Sequence, residues 1–332
     1  MKFRSKNLLI TGGAGFIGSN FIDYFFKNFV GSKVYNLDLL TYAGNLDNTA
    51  KFCNNPDYKF IKGNICDTKL LDEIFFEFNI DGIINFAAES HVDKSIVNPE
   101  YFIKTNVNGV FTLLETANKF WFKSPFKPKS NFDHARFHQI STDEIYGSIN
   151  SGSFFEDSKY SPNSPYAASK ASADMLVRSY NKTFGLNTTI SVCTNNFGPN
   201  QNIEKFIPKI ICSLLNNKEI PVYGDGKNIR DWICVYEHCK AVALIYNKSK
   251  SGNTYNICGD NEFTNLEIIN LIHKLICNYR DVLKKINFTD DRFGHDRRYS
   301  INQSKIINEL GWETNRDFIS QLGKYVKTLI NE

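Results

Sequence analysis

The stretch "ITGGAGFIGSN", residues 10–20, limits what this chain can fold into more than any other. It follows the apolar run Asn7 to Thr11 and leads into the helical "FIDYFFKNF". Gly13, Gly15 and Gly18 satisfy G-x-G-x-x-G between a strand and a helix. Such glycines let the backbone turn tightly and let a pyrophosphate approach the free N–H groups and positive dipole end of the helix. Asp38 closes the second strand, 20 residues after Gly18. An acid there binds both hydroxyls of an adenosine ribose and repels a 2′-phosphate, which selects NAD over NADP. The plainer alternative is a glycine turn that only packs a helix on a sheet, and the placement of Asp38 weighs against it.

The segments that follow alternate between two periods. Asn7 to Thr11, Lys33 to Leu37, Tyr58 to Ile61, Gly82 to Phe86, Phe137 to Ser141 and Thr188 to Cys193 read as short buried strands, separated by stretches long enough for crossover helices. That series predicts a Rossmann-type α/β fold, a doubly wound parallel sheet. "SPFKPKSNFDHA", residues 124–135, breaks the rhythm and reads as a surface insertion. Beyond Asn196, proline-bounded helices and the "YGDG" and "DRFGHDRR" turns predict a smaller α/β lobe. The expected division is a cofactor domain over 1–196, rejoined by about 229–257, with 197–228 and 258–320 as the substrate lobe.

Composition removes several classes of function. A chain of 332 residues that is 42% hydrophobic has ample core. A net charge of +4 with bases and acids interleaved suggests neither nucleic acid nor a membrane surface as partner. The eight cysteines, Cys53, Cys66, Cys193, Cys212, Cys234, Cys239, Cys258 and Cys277, form no C-x-x-C pair and read as thiols in a reducing compartment, with no metal site. The apolar run in "MKFRSKNLLITGG" is too short for a leader or a span, so a cytoplasmic location is expected.

Two short motifs carry chemistry. In "YAASK", Tyr166 and Lys170 share a helix face, so an ammonium can sit near the phenol and reach ribose hydroxyls. A nearby cation favours the phenolate and makes Tyr166 a general base, with Thr142 as its hydroxyl partner. Y-x-x-x-K alone is common on exposed helices. In "ISTDEIYG", Asp143 and Glu144 stand side by side after a buried strand. Both enter one pocket only if the strand has ended and the backbone is turning. An acidic solvated loop is the ordinary fate of such a pair.

Taken together, "TGGAGFIGSN", "NLDLLTYAGNL", "FAAESHVDKSI", "NVNGVFTLLE", "FHQISTDEIYG", "SPYAASKASAD", "NNFGPNQ", "IPVYGDGKNIRDWI" and "DRFGHDRRYSI" resemble, almost end to end, the dTDP-glucose 4,6-dehydratase family of the extended short-chain dehydrogenases/reductases. The resemblance implies a lyase that starts deoxyhexose (rhamnose-type) synthesis from a nucleotide-sugar. It assigns Thr142, Asp143, Glu144, Tyr166 and Lys170 to catalysis, with Glu144 removing the C5 proton and Asp143 protonating the departing C6 hydroxyl. For NAD it implies Gly12, Gly15, Phe16, Ile17 and Gly18, then Asp38, Leu39, Leu40 and Thr41. Asn64, Ile65, Phe86, Ala87, Ala88, Ser90, Thr105 and Asn196 complete that set together with Tyr166 and Lys170. For substrate it implies Ser90, Thr142, Asn195, Lys205 and Tyr223, and further Arg230, Asn265, Arg292, His295 and Tyr299. Arg230 and Arg292 suit a diphosphate, which guanidinium binds bidentately. His295 reads equally as a solvated loop residue. The helices of Tyr101 to Phe120 and Tyr166 to Phe184 are expected to form a homodimer bundle.

Three positions depart from the family pattern: Asn64 where aspartate is usual, Phe293 for proline, and Asn302 for aspartate. Phe293 leaves thymine versus uracil open. Which of Asp143 and Glu144 holds the shared proton is also open at this level. Rival readings are a sugar-nucleotide epimerase or decarboxylase, which needs no acid at C6, and a catalytically silent NAD-binding regulatory protein.

Overall fold

The computed structural model describes residues 2–277, 285–315 and 317–331. Its centre is a seven-stranded parallel sheet, ordered across as Asn253–Ile257, Thr188–Cys193, Arg136–Thr142, Gly82–Asn85, Asn7–Thr11, Lys33–Asp38 and Tyr58–Lys62. All six expected strands are present with ends within two residues, and 253–257 adds a seventh at the far edge, beside Thr188–Cys193. The order reverses at Asn7–Thr11, which pairs with Lys33–Asp38 on one side and Gly82–Asn85 on the other. A crevice therefore opens at the carboxyl ends of the first and fourth strands, where doubly wound folds bind ligands.

Both faces of the sheet are covered because the strands are apolar on both. Leu8, Ile10, Val34 and Ile84 pack with Phe21, Phe25, Val242 and Tyr246 from the helices Phe16–Asn28 and Val235–Lys248. On the opposite face Leu9, Leu37, Ile83 and Phe137 meet Phe75, Leu113, Trp121 and Val177, from the helices Thr68–Phe78, Gly109–Trp121 and Pro165–Phe184. Each buried aliphatic or aromatic side chain of this kind contributes roughly 1.5–3 kcal/mol by transfer from water. The segment 124–135 is mostly exposed and includes most of a short hairpin of Phe122–Ser124 and Lys127–Pro128.

A third core, built on Phe197, Ile207, Trp232, Ile268 and Phe318, holds a smaller lobe over the crevice. Its parts are the sheet of Asn195–Phe197, Ile229–Cys234 and Glu262–Thr264, and the parallel pair Ile220–Tyr223 and Ile286–Thr289. No helix among the described residues is long and apolar enough to cross a membrane. The described cysteines are free thiols, and the side chain of Cys277 lies outside the described residues.

Candidate active site

The glycine turn sits at the crevice. Gly12 has φ +70°, and a Cβ there would lie 2.6 Å from the backbone nitrogen of Ala87. A Cβ on Gly18 would lie 2.3 Å from the Gly12 carbonyl oxygen. These two glycines permit the turn itself. At Gly15 an added Cβ would lie 3.3 Å from the Gly12 carbonyl oxygen and 3.8 Å from that of Ala43, a looser fit than at the other two but still a tight one against backbone. Gly13, counted in the motif from its spacing, is instead a packing residue, because its missing side chain makes room for Asn36 at 2.2 Å. Gly12, Gly15 and Gly18 are thus the glycines that the backbone of the turn itself requires.

Asp38 lies at the lip of the crevice. Its Oδ2 accepts from Ala14 N at 2.9 Å and its Oδ1 from Leu40 N at 2.8 Å, which leaves lone pairs for ribose hydroxyls. Burial pushes its carboxyl up, and the two backbone donors oppose this. Leu40 has φ +57°, with Leu39 and Thr41 exposed beside it. Asn64 Oδ1 accepts from Cys66 N at 2.9 Å, so that side-chain carbonyl is engaged within its own turn. Ile65 is buried under Gly109. Phe16, Ile17, Phe86 to Ala88, Ser90 and Thr105 are half-buried around the crevice elements. Asn196 Oδ1 lies 2.9 Å from His238 Nδ1, which fixes the direction of that amide.

The strand carrying the acidic pair ends at Thr142, and residues Asp143–Tyr146 turn as a 3-10 helix whose N-cap is Thr142. The chain is therefore turning where both carboxyls must enter one pocket. Thr142 Oγ1 donates to Asp143 Oδ1 at 3.4 Å, while Asp143 Oδ2 is buried without a partner. Burial first, and then the neighbouring Glu144, hold the Asp143 carboxyl well above the usual carboxylate range. Glu144 is also raised by burial, but Arg292, Arg230 and Lys205 pull it back. Of the two, Asp143 is the carboxyl held further toward its protonated form.

Tyr166 enters from the first turn of the helix Pro165–Phe184, capped by Ser164, whose Oγ accepts from Ala167 N at 3.1 Å. Its phenol is pushed well up by burial and then by Glu144, whereas a hydrogen bond with Thr142 favours phenolate. Lys170 shares the face but donates from Nζ to the Ile140 carbonyl at 2.6 Å rather than to the phenol. A buried ammonium must have an acceptor, and the strand end supplies one.

The smaller lobe brings cations toward the same pocket. Arg230 is buried, stacks 4.2 Å over the Tyr299 ring and donates to the carbonyls of Ile229 and Asp296 at 2.7 and 2.9 Å. It forms no ion pair with a carboxylate among the described residues, though its charge acts on Asp143 and Glu144. Lys205 Nζ donates to Ser90 O at 2.9 Å, joining the two lobes. Arg292 reaches Asp93 at 3.5 Å, and the Tyr223 hydroxyl donates to the same carboxylate at 3.2 Å. The His295 side chain is only 7% exposed and lies 2.6 Å from Asp291, which corrects its reading as a solvated residue. Asn195 pairs in register with Trp232, Asn265 opens its helix, and Phe293 is 85% exposed. Sequence reading missed Asp93 and also Asp174, one helical turn past Lys170; the i, i+4 spacing was the available signal for the second.

A doubly wound sheet with a glycine turn at its crevice, an acid closing the second strand and a Thr–Tyr–Lys set defines an extended short-chain dehydrogenase/reductase. The family model described as GDP-mannose 4,6 dehydratase matches residues 9–323. The chain is 44% identical over 335 residues to dTDP-glucose 4,6-dehydratase of Neisseria gonorrhoeae, covering 97% of this chain and 95% of that one. It superposes with TM-score 0.91 and 39% identity on a dTDP-glucose 4,6-dehydratase from Streptomyces venezuelae solved with NAD and dTDP, covering 98% and 97% of the two chains. With UDP-glucose 4-epimerase from Thermotoga maritima the TM-score is 0.85 at 25% identity, over 98% and 99%. The chain belongs to the dTDP-glucose 4,6-dehydratase family.

Proposed function

We propose that the protein is an NAD-dependent NDP-glucose 4,6-dehydratase that converts dTDP-glucose or UDP-glucose into the 4-keto-6-deoxy sugar nucleotide and water. The observation that carries this is the unequal acidic pair beside Tyr166: burial and Glu144 hold the Asp143 carboxyl well above the usual carboxylate range, while at Glu144, also raised by burial, Arg292, Arg230 and Lys205 oppose the rise. An epimerase has no use for an acid at C6. The names of the relatives favour dTDP-glucose among the two substrates.

The cofactor would lie on Gly12, Gly15 and Gly18, with Asp38 at the adenosine ribose and Lys170 at the other ribose. NAD supplies one capability, accepting hydride from C4 and returning it at C6. The residues of this chain manage the protons. Tyr166 takes the C4 hydroxyl proton, the new ketone acidifies C5, and Glu144 removes the C5 proton. Asp143 protonates the C6 hydroxyl as it leaves as water. Glu144 then returns a proton to C5. Over one turnover Tyr166 has gained a proton and Asp143 has lost one, and the Thr142 hydroxyl touches both. Arg230, Arg292 and Lys205 hold the diphosphate and keep Glu144 ionisable.

The test follows an isotope. Glucose nucleotide deuterated at C4 should give a product with deuterium at C6 and solvent hydrogen at C5. Label returned to C4 would mean an epimerase, and untouched substrate a silent protein. Comparing kcat/KM for dTDP-glucose and UDP-glucose decides the nucleotide. The same reading includes a homodimer, supported by the exposed Tyr101, Ile103, Phe111 and Met175 on or beside the two long helices. A Phe111→Glu, Met175→Glu variant should sediment as a monomer if those helices form the interface.

A further inference from the structure

Asp174 is 1% exposed, is buried on the Lys170 side of its helix, and has no part in the chemistry above. Its Oδ2 accepts a hydrogen bond from the Ser141 hydroxyl, and its Oδ1 is buried with no partner. Lys170, one turn earlier, donates to the Ile140 carbonyl at 2.6 Å. Two consecutive residues of the catalytic strand, immediately before Thr142, are thus held by two residues one turn apart on the tyrosine helix. Pinning Ser141 needs no charge: an asparagine of the same shape would accept that hydrogen bond without the cost of desolvating a carboxylate.

The groups facing Asp174 show what a charge is for. Ser141 comes from the strand, Tyr146 from the 3-10 turn, Tyr160 and Glu156 from the loop before the helix, and Lys170 and Arg178 from its own helix. The tyrosines are pushed up by burial and stay neutral, and Arg178 is exposed. Lys170 is the one buried cation in that group, and burial lowers it while Asp174 raises it. A cavity of about 570 Å³, lined by Asp174 with Glu156, Tyr160, Arg178, Thr188 and Asn253, lies against the carboxyl. Burial brings Asp174 up to about 7, against Lys170 and Ser141, so it changes charge near neutral pH.

We propose that Asp174 is a positioning residue whose carboxylate keeps Lys170 an ammonium aimed at the catalytic strand end, and that Asp174 exchanges its proton with water in the cavity it lines. The inference rests on the role given to Lys170 above.

The experiment measures the pH dependence of NADH appearance on mixing holoenzyme with substrate, and of NAD affinity in protein stripped of cofactor. Asp174→Asn should move the alkaline limb of both down by about one to three pH units, the usual effect of losing an opposite charge at this range. Asp174→Glu, which keeps the charge, and Ser141→Ala, which removes only the hydrogen bond, should leave the limb in place. An unmoved limb in Asp174→Asn overturns the proposal, as does an equal displacement in Ser141→Ala, which would make the role one of geometry. Should Asp174→Asn fail to fold, a displaced limb in Asp174→Glu overturns it and a retained one supports it. Lys170→Met forming NADH at the unmodified rate would instead remove the role of Lys170.

Discussion

Asp143 and Glu144 are adjacent in the chain, and both carboxyls are raised by burial and opposed by Arg230, yet Asp143 is 2% exposed with an unpartnered Oδ2 while Glu144 also lies under the influence of Arg292 and Lys205. Glu144→Gln and Asp143→Asn should each depress product formation by roughly 10²–10⁴-fold, the usual loss of a positioned acid or base. Both should still build up NADH absorbance on adding substrate, whereas Tyr166→Phe should not. Dehydration at the unmodified rate in both carboxylate variants would reduce the pair to an acidic turn.

The three ligand-side glycines should separate folding from binding. Gly15→Ala keeps an ordinary φ of −80° but sets its Cβ 3.3 Å from the Gly12 carbonyl oxygen, so it should lose less stability than Gly12→Ala while bound NAD is lost. Gly12→Ala combines φ +70° with a backbone contact of 2.6 Å and should cost on the order of 2 kcal/mol or more. Calorimetric melting and the nucleotide content of the purified proteins check both.

Asp38→Asn should weaken NAD binding about tenfold and narrow the preference over NADP, because it removes the charge that excludes a 2′-phosphate. One acceptor remains for the backbone donors Ala14 N and Leu40 N, so the loop should persist. NADP recovered from the unmodified protein after denaturation would overturn the role of Asp38.

Acid stability should depend on two histidines outside the chemistry. His138 and His238 are fully buried and lowered from 6.5 to about 3 by burial. Between those values the unfolded chain binds protons that the folded one refuses, so stability rises with pH through that window and is fully present above about 6.5. Each histidine accounts for on the order of 4–5 kcal/mol across it. His138→Gln, which keeps an amide facing Thr189 and Ser191, should flatten the dependence of the melting temperature between pH 4 and 6.5.

The repeating strands, the glycine turn, Asp38 and the helix-face spacing of Tyr166 and Lys170 were legible because each rests on local chain geometry. Period, turn and i, i+4 neighbours are set by residues close in sequence. Gly13 misled for the same reason, since spacing cannot say that Asn36 fills the room beside it. The Ile140 carbonyl as the Lys170 partner, the burial of His295 and the contact of Arg292 with Asp93 join segments far apart in the chain or depend on burial.

By itself, then, the sequence determined the doubly wound sheet, the family, and which residue types stand at each strand end. Tertiary structure alone decided their protonation. Asp143 and Glu144 have nearly equal acidity in water, and nothing within their own segment separates them. Burial raises both carboxyls and Arg230 opposes it at both; the difference arises because the smaller lobe also brings Arg292 and Lys205 toward Glu144 while Asp143 faces Glu144 and Asp231, since charge interactions and desolvation act through space rather than along the chain.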